Sequence, residues 1–171
     1  MSVVTILFGR LTDILLLRRG PQDLPGSPLV LAALILLNLL AGTFLFADQD
    51  AGSSESLQSI VDLGLSLVMS VAVLNFRGVR ERILQTLTAF MGTGFILTLI
   101  LFPISLLLGA EGEGFFVSMG RMMFMALLIW SLAVDGHIFR HALSTNMLVG
   151  TACAVGIFIA RVYILEGIWP S

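Results

Sequence analysis

The hydrophobic residues of this 171-residue chain are gathered into long runs that polar segments separate. The runs cover residues 28–46, 60–76, 84–108, 115–134 and 147–168. An α-helix crosses the roughly 30 Å of hydrocarbon in a bilayer with about 20 apolar residues, and each run has or approaches that length. The pattern therefore predicts an all-α protein, in which residues 1–171 form one membrane domain with a bundle of five transmembrane helices.

The N-terminal segment, residues 2–19, has a different pattern. Its apolar residues are interrupted at Thr5, Gly9, Arg10, Thr12 and Asp13. This spacing gathers polar groups on one side of a helix, which is too short and too polar to span. We predict an amphipathic helix lying in the membrane interface, with Arg10, Arg18 and Arg19 contacting lipid headgroups or a partner. The helix-breaking residues 20–26 then predict a rigid elbow.

Composition supports a membrane protein, because 57% of the residues are hydrophobic and only 12% are charged. A soluble domain carries about 25% charged residues, so the bilayer is expected to be the solvent for most of the chain. The nine lysine and arginine residues are all arginine, and they are clustered. Nucleic-acid binding is thereby disfavoured. The single cysteine, Cys153, cannot form a disulfide within the chain.

The distribution of arginine predicts the orientation of the helices, because short loops rich in arginine stay in the cytoplasm. A cytoplasmic N-terminus places seven arginines inside, namely Arg10, Arg18, Arg19, Arg77, Arg80, Arg82 and Arg140. The outer loops then hold only acidic charges, namely Asp48, Asp50, Glu55, Glu111 and Glu113. Five crossings put the C-terminus outside. The brevity of the chain and its lack of lysine favour a bacterial inner membrane.

Ionisable side chains within the spans are candidates for function, because charge is costly in hydrocarbon. Asp62, Arg121, Arg161 and Glu166 all fall in the outer part of the predicted bilayer. They form a candidate charge cluster, with Asp62 facing Arg121 and Glu166 near Arg161, that could serve as a proton or ion site. The alternative is that the arginines extend to the headgroups and only fix helix rotation. The alternative is favoured, because no acid lies near the midplane where a transporter needs one.

Other polar residues have simpler explanations. His137 and His141 are four residues apart with Asp135 close by, a set that could bind zinc, but no third strong ligand is evident. We predict a polar stretch at the membrane surface from Asp135 onward, and no metal or cofactor. Asn38 is expected to donate a hydrogen bond between helices. The sequence holds no nucleophile elbow or phosphate loop, so we expect no enzyme.

The order of these parts resembles the Yip family of polytopic membrane proteins. The likeness lies in the N-terminal helix, the elbow Arg19-Gly20-Pro21 and five spans. Residues 86–90 and 100–103 look like the family's aromatic-then-proline pattern, and residues 130–136 look like its stretch of aromatic and small residues. Phe90 stands where tyrosine is usual in the family. The resemblance implies a non-enzymatic membrane scaffold or trafficking component.

These observations predict a non-catalytic membrane protein that binds other membrane proteins, lipids or further copies of itself. It would do so through its interfacial helix, its elbow and the small-residue faces of its helices. The alternative is a small transporter or channel subunit that uses the intramembrane charges Asp62, Arg121 and Arg161.

Overall fold

The computed structural model describes residues 3–46, 53–109 and 114–169, which are helical almost throughout and contain no strand. The α-helices are α1 (Val3–Leu15), α2 (Pro28–Phe46), α3 (Ser53–Phe76), α4 (Ile83–Leu108), α5 (Phe115–Ala142) and α6 (Met147–Ile168). Short 3-10 turns at Pro21–Asp23 and Arg80–Arg82 precede α2 and α4. The predicted all-α class is confirmed. The predicted loop charges Asp48, Asp50, Glu111 and Glu113 lie outside the described residues.

Within the described residues, four stretches are long and apolar enough to cross a bilayer, namely Leu57–Phe76, Arg80–Leu108, Phe115–Ala142 and Met147–Ile168. Their outward faces carry large apolar side chains such as Leu99, Met122 and Ile129, which are about half exposed or more. Such a surface is unfavourable in water and suits hydrocarbon, and these features indicate a membrane protein. In α2 a shorter apolar stretch, Pro28–Gly42, meets the same criterion of composition.

The helix termini explain where α5 stops. Arg82 donates hydrogen bonds from Nη1 to the carbonyl oxygens of His141 (3.2 Å) and Ala142 (3.1 Å) in the last turn of α5, and the His141 oxygen also accepts from the Ser144 backbone N–H at 3.3 Å. Ser144 follows with φ of 50°, which turns the chain. Asn146 then caps α6 by accepting a hydrogen bond from the Val149 backbone N–H at 2.9 Å. These contacts tie the beginning of α4 to the turn between α5 and α6.

Two predicted helix boundaries are wrong. The helix that contains the second run begins at Ser53 rather than near residue 60. The fourth run was predicted to end at residue 134, yet α5 continues through Asp135 to Ala142. Charge in the sequence suggested a loop, but a carboxyl group can remain in a helix when it faces an interior polar space, as Asp135 does here.

The elbow packs against one end of the bundle, which we call the elbow end. There α3 and α5 end and α4 and α6 begin, around a core of Leu74, Phe139, Ala142, Leu143 and Ala154. Pro21 is buried, and Leu24 is 2% exposed. Gln85 of α4 donates a hydrogen bond to the Leu24 carbonyl oxygen at 3.2 Å. The elbow is therefore part of the folded bundle rather than a free linker.

The last turns of α1 also enter the bundle. Leu11, Ile14 and Leu15 are buried against α4 and α5, in a cluster with Ala89 and Ile138. The Leu11 side chain occupies the space that a side chain on Gly92 of α4 would fill. The first turns remain exposed at Val4, Ile6 and Phe8. An interfacial position for α1 stays a prediction, and the structure adds that its second half is anchored to protein.

Helices α5 and α6 approach closely where two glycines meet. A Cβ atom on Gly150 would contact the Gly136 carbonyl oxygen and lie 2.7 Å from the Arg140 backbone nitrogen. A Cβ atom on Gly136 would lie 2.8 Å from Cα of Thr151. Backbone therefore packs on backbone at this point, as small residues permit in membrane bundles. The crossing fixes the position of Asp135, the neighbour of Gly136.

Candidate functional site

An ion pair inside the bundle joins α3 to α6. Nε of Arg161 donates a hydrogen bond to Oδ1 of Asp62 at 2.8 Å, and Nη2 donates to Oδ2. The Arg161 side chain is 24% exposed and that of Asp62 is 33% exposed. Such bidentate pairs between arginine and a carboxylate are among the stronger polar contacts in proteins. The pair therefore fixes how α3 and α6 are rotated relative to each other.

The pair lies on the wall of an interior cavity of about 720 Å³, which is partly open to the surface of the bundle. All five of the helices α2 to α6 contribute to this wall. Its polar side chains are Asn38, Gln58, Ser59, Asp62, Ser66, Thr98, Ser131, Asp135 and Arg161. Its apolar walls include Leu97, Leu101 and Phe124. The volume is in the range of sites that bind small molecules.

A smaller cavity of about 200 Å³ continues the same space toward the elbow end. The two cavities share Ser66, Ser131, Asp135 and Arg161. The smaller one also reaches Ser70 and Phe139. The ring of Phe139 is 2% exposed and lies 4.9 Å from that of Phe90, measured between ring centroids. This pair of rings ends the polar space on the elbow side.

Asp135 lines both cavities. Within the described parts of the chain its carboxyl group makes no hydrogen bond and no salt bridge. The charge of Arg161 acts on it electrostatically, but Arg161 is hydrogen-bonded to Asp62. The cavity therefore contains one neutralised ion pair and one carboxyl group without a bonded partner.

The polar groups lie at different depths. At 1.5 Å per residue, Asp62 lies about 21 Å before the end of α3. Arg161 lies about 21 Å after the start of α6. Both distances are counted from the elbow end. Asp135 lies about 10 Å from the same end by the same measure. Ser66 and Ser131 fall between these levels, so that polar side chains extend through much of the bundle.

The predicted charge cluster is corrected by this geometry. Asp62 binds Arg161 and not Arg121, and Arg161 has no contact with Glu166 in the described residues. Arg121 is exposed because it follows Gly120, which faces Leu107 of α4, and one residue rotates a helix position by about 100°. Glu166 is exposed because five residues place it about 140° around α6 from Arg161.

Sequence reasoning missed Asp135 as part of the site, although a signal was present. Asp62, Ser66 and Ser70 follow each other at four-residue intervals in α3, and Ser131 and Asp135 do so in α5. Residues four apart lie on one face of a helix. Two polar faces within otherwise apolar helices indicate that the helices turn these faces toward each other, away from lipid.

The polar residues at the elbow end serve to hold the elbow. His137 is 4% exposed, and its Nε2 donates a hydrogen bond to the Arg19 carbonyl oxygen at 2.9 Å. The ring of His141 lies 4.5 Å from that of His137. Across the described residues no three His, Cys, Asp or Glu side chains are arranged to hold a metal ion. His137 acts as an anchor of the elbow in this arrangement.

The three arginines predicted to contact lipid or a partner differ in their surroundings. Arg10 turns toward the elbow, where its Nη1 donates a hydrogen bond to the Asp23 carbonyl oxygen. Arg19 forms an exposed ion pair with Asp13, with Nε and Oδ2 3.1 Å apart. Arg18 is exposed. Arg18 and Arg19 are therefore accessible to a membrane surface, whereas Arg10 belongs to the anchor of the elbow.

The predicted hydrogen bond from Asn38 is confirmed, since its Nδ2 donates to the Met91 carbonyl oxygen of α4 at 2.8 Å. No protein-family model, no curated protein and no solved structure shows a significant match to this chain. The resemblance to the Yip family stays a prediction.

Proposed function

We propose that this chain is a five-span membrane protein of the bacterial inner membrane that acts as a small transporter or channel subunit. In this proposal α2 is the additional span, since its 19 residues reach about 28 Å at 1.5 Å per residue. The elbow end faces the cytoplasm, and the C-terminus lies outside. The seven arginines that were predicted to lie in the cytoplasm support this orientation, because they all belong to segments at the elbow end.

One observation carries the transport proposal: every one of the five proposed spans lines the same polar cavity, which holds Asp62, Arg161 and Asp135. The argument against transport from the sequence was the lack of an acid well inside a span. Asp135 weakens that objection, because it adds a second acid that faces the cavity from within a span, about 10 Å from the elbow end. Polar residues in the interior of a membrane bundle typically mark substrate or ion pathways. The chain is proposed to bind and move a ligand without changing its chemistry.

Water access to the cavity tests this proposal without knowledge of the substrate. Ser131→Cys, in a Cys153→Ala background, should react with a membrane-impermeant maleimide added from either side of the membrane. Ile129→Cys is the matched control, because Ile129 lies two residues away but faces outward and is 68% exposed in the isolated protein. It should stay unlabelled in lipid. If Ser131→Cys failed to react from one side or from both, a transport pathway would be contradicted.

The second candidate is the scaffold function that the sequence favoured. It draws support from α1, whose first turns leave Val4, Ile6 and Phe8 exposed while its last turns are fixed to the bundle. A photo-crosslinker at Phe8 should then capture a specific partner in membranes, and one at Phe116 should not. Arg161→Gln should abolish transport if the chain is a transporter. The same variant should leave partner capture intact if the chain is a scaffold.

A further inference from the structure

We infer that the interior cavity binds an amphipathic organic cation, with the carboxylate of Asp135 as its counter-charge. The inference rests on the proposed function in one respect, because both assign the same cavity to a ligand. It requires binding only, so a cavity that holds the cation without moving it would contradict transport and leave the inference intact.

The charge of the ligand follows from how the cavity's own charges are paired. Asp62, Asp135 and Arg161 are the charged side chains among the described residues that line it. Asp62 and Arg161 neutralise each other through two hydrogen bonds. The Asp135 carboxyl group carries no charge when protonated. When it is ionised, it leaves an excess of one negative charge, which is costly in a low dielectric unless a positive charge joins it. A monovalent cation supplies that charge.

An anionic ligand fits the same geometry poorly. It would have to bind Arg161, whose Nε and Nη2 already donate to Asp62. Displacing Asp62 would leave two carboxylates without a bonded partner in one cavity. Each bound anion would then add to the excess of negative charge in the cavity. The anion and the carboxylates would also repel one another at short range.

The walls indicate an organic cation rather than a metal ion. Leu97, Leu101, Leu127 and Leu165 provide hydrocarbon surface, and Phe124 provides an aromatic ring beside the charged groups. An alkali or alkaline-earth ion requires a cage of about six oxygen ligands and a much smaller space. A cavity of about 720 Å³ with these walls can instead cover apolar substituents around a positive charge. Aromatic rings also attract cations through their π faces.

Two ions of nearly equal shape and opposite charge test the inference. Tetraphenylphosphonium and tetraphenylborate would be titrated, by equilibrium dialysis, against the purified full-length protein in mild detergent. We expect saturable binding of tetraphenylphosphonium at one site and no saturable binding of tetraphenylborate. Asp135→Asn should weaken the binding of the cation about tenfold or more, since it removes a charged contact. Glu166→Gln, which removes an exposed carboxylate of α6, should leave the affinity unchanged.

Size-exclusion chromatography identifies variants that fail to fold, and Asp135→Glu provides a second variant that keeps the charge and should retain binding. Equal affinity of wild type and Asp135→Asn, or saturable binding of tetraphenylborate, would overturn the inference. Competition distinguishes the source of the cation. Displacement by tetraethylammonium supports a cation from water, and displacement by dodecyltrimethylammonium alone supports one from the membrane. Loss of maleimide access to Ser131→Cys from one side, with cation binding intact, would contradict transport only.

Discussion

Breaking the ion pair between α3 and α6 should destabilise the bundle more than removing any exposed charge. Arg161→Gln leaves Asp62 as an unpaired charge in a largely apolar interior, and Asp62→Asn does the same to Arg161. Removing one partner of a fully buried pair costs about 3–5 kcal/mol, and an exposed pair contributes about 0–1 kcal/mol. The two side chains are 24% and 33% exposed, so we expect a loss of about 2–3 kcal/mol for each single variant.

The double variant separates the pair itself from other effects of the two substitutions. With both charges removed no unpaired charge remains, so the double variant should be no less stable than either single variant. The coupling energy should then be at least about 2 kcal/mol. The free energy of unfolding would be measured by titration with sodium dodecyl sulfate in mixed micelles, followed by tryptophan fluorescence.

Arg121→Gln and Glu166→Gln provide the matched control cycle, because both side chains are exposed. Each should change the free energy of unfolding by less than about 0.5 kcal/mol, and their effects should add. If the losses from Arg161→Gln and Asp62→Asn also add without coupling, the ion pair does not form as described. The assignment of the cavity would then lose its central contact.

Three further predictions concern the elbow end of the bundle. Gly150→Ala should lower the thermal unfolding temperature in detergent, because its Cβ atom would overpack against the α5 backbone and reduce the free energy of unfolding by about 2 kcal/mol or more. Gly156→Ala should change the unfolding temperature little, because its Cβ atom meets no atom within 4 Å. Arg82→Gln should cost about 1–2 kcal/mol by removing the side-chain donor to the carbonyl oxygens of His141 and Ala142, and the exposed Arg80→Gln should be nearly neutral in the same measurement. His137→Ala should loosen the elbow and speed tryptic cleavage after Arg18 and Arg19. His141→Ala should leave the cleavage rate unchanged. Equal cleavage rates in the two variants would show that the hydrogen bond from His137 to the Arg19 carbonyl oxygen does not hold the elbow.

The helices could be predicted from the sequence because hydrocarbon imposes a length on each apolar run. The predicted bounds of the first and last runs coincide with α2 and α6 as helices. The end of α5 could not be predicted in the same way. A charged residue such as Asp135 can lie in a loop, or it can lie within a helix and face a cavity. The choice depends on which helices face that residue, and this is a property of tertiary packing.

The composition of the site was only partly predictable for the same reason. Asp62 and Arg161 were both identified as candidates, but their pairing depends on the rotation of two helices about their axes. Judged by depth in the bilayer alone, Asp62 could pair with Arg121 as well as with Arg161. The packing of Gly120 against α4 turns Arg121 outward, and a contact of this kind between distant segments leaves no periodic pattern along the chain.

The proposed function requires that α2 to α6 each cross the bilayer once and together line the cavity. Reporter fusions measure this, because an odd number of crossings places the two ends of the chain on opposite faces of the membrane. Alkaline phosphatase fused after Ser171 should be active outside, and the same enzyme fused after Arg82 should be inactive in the cytoplasm. An inactive fusion after Ser171, with a cytoplasmic N-terminus, would mean an even number of crossings and would contradict the account.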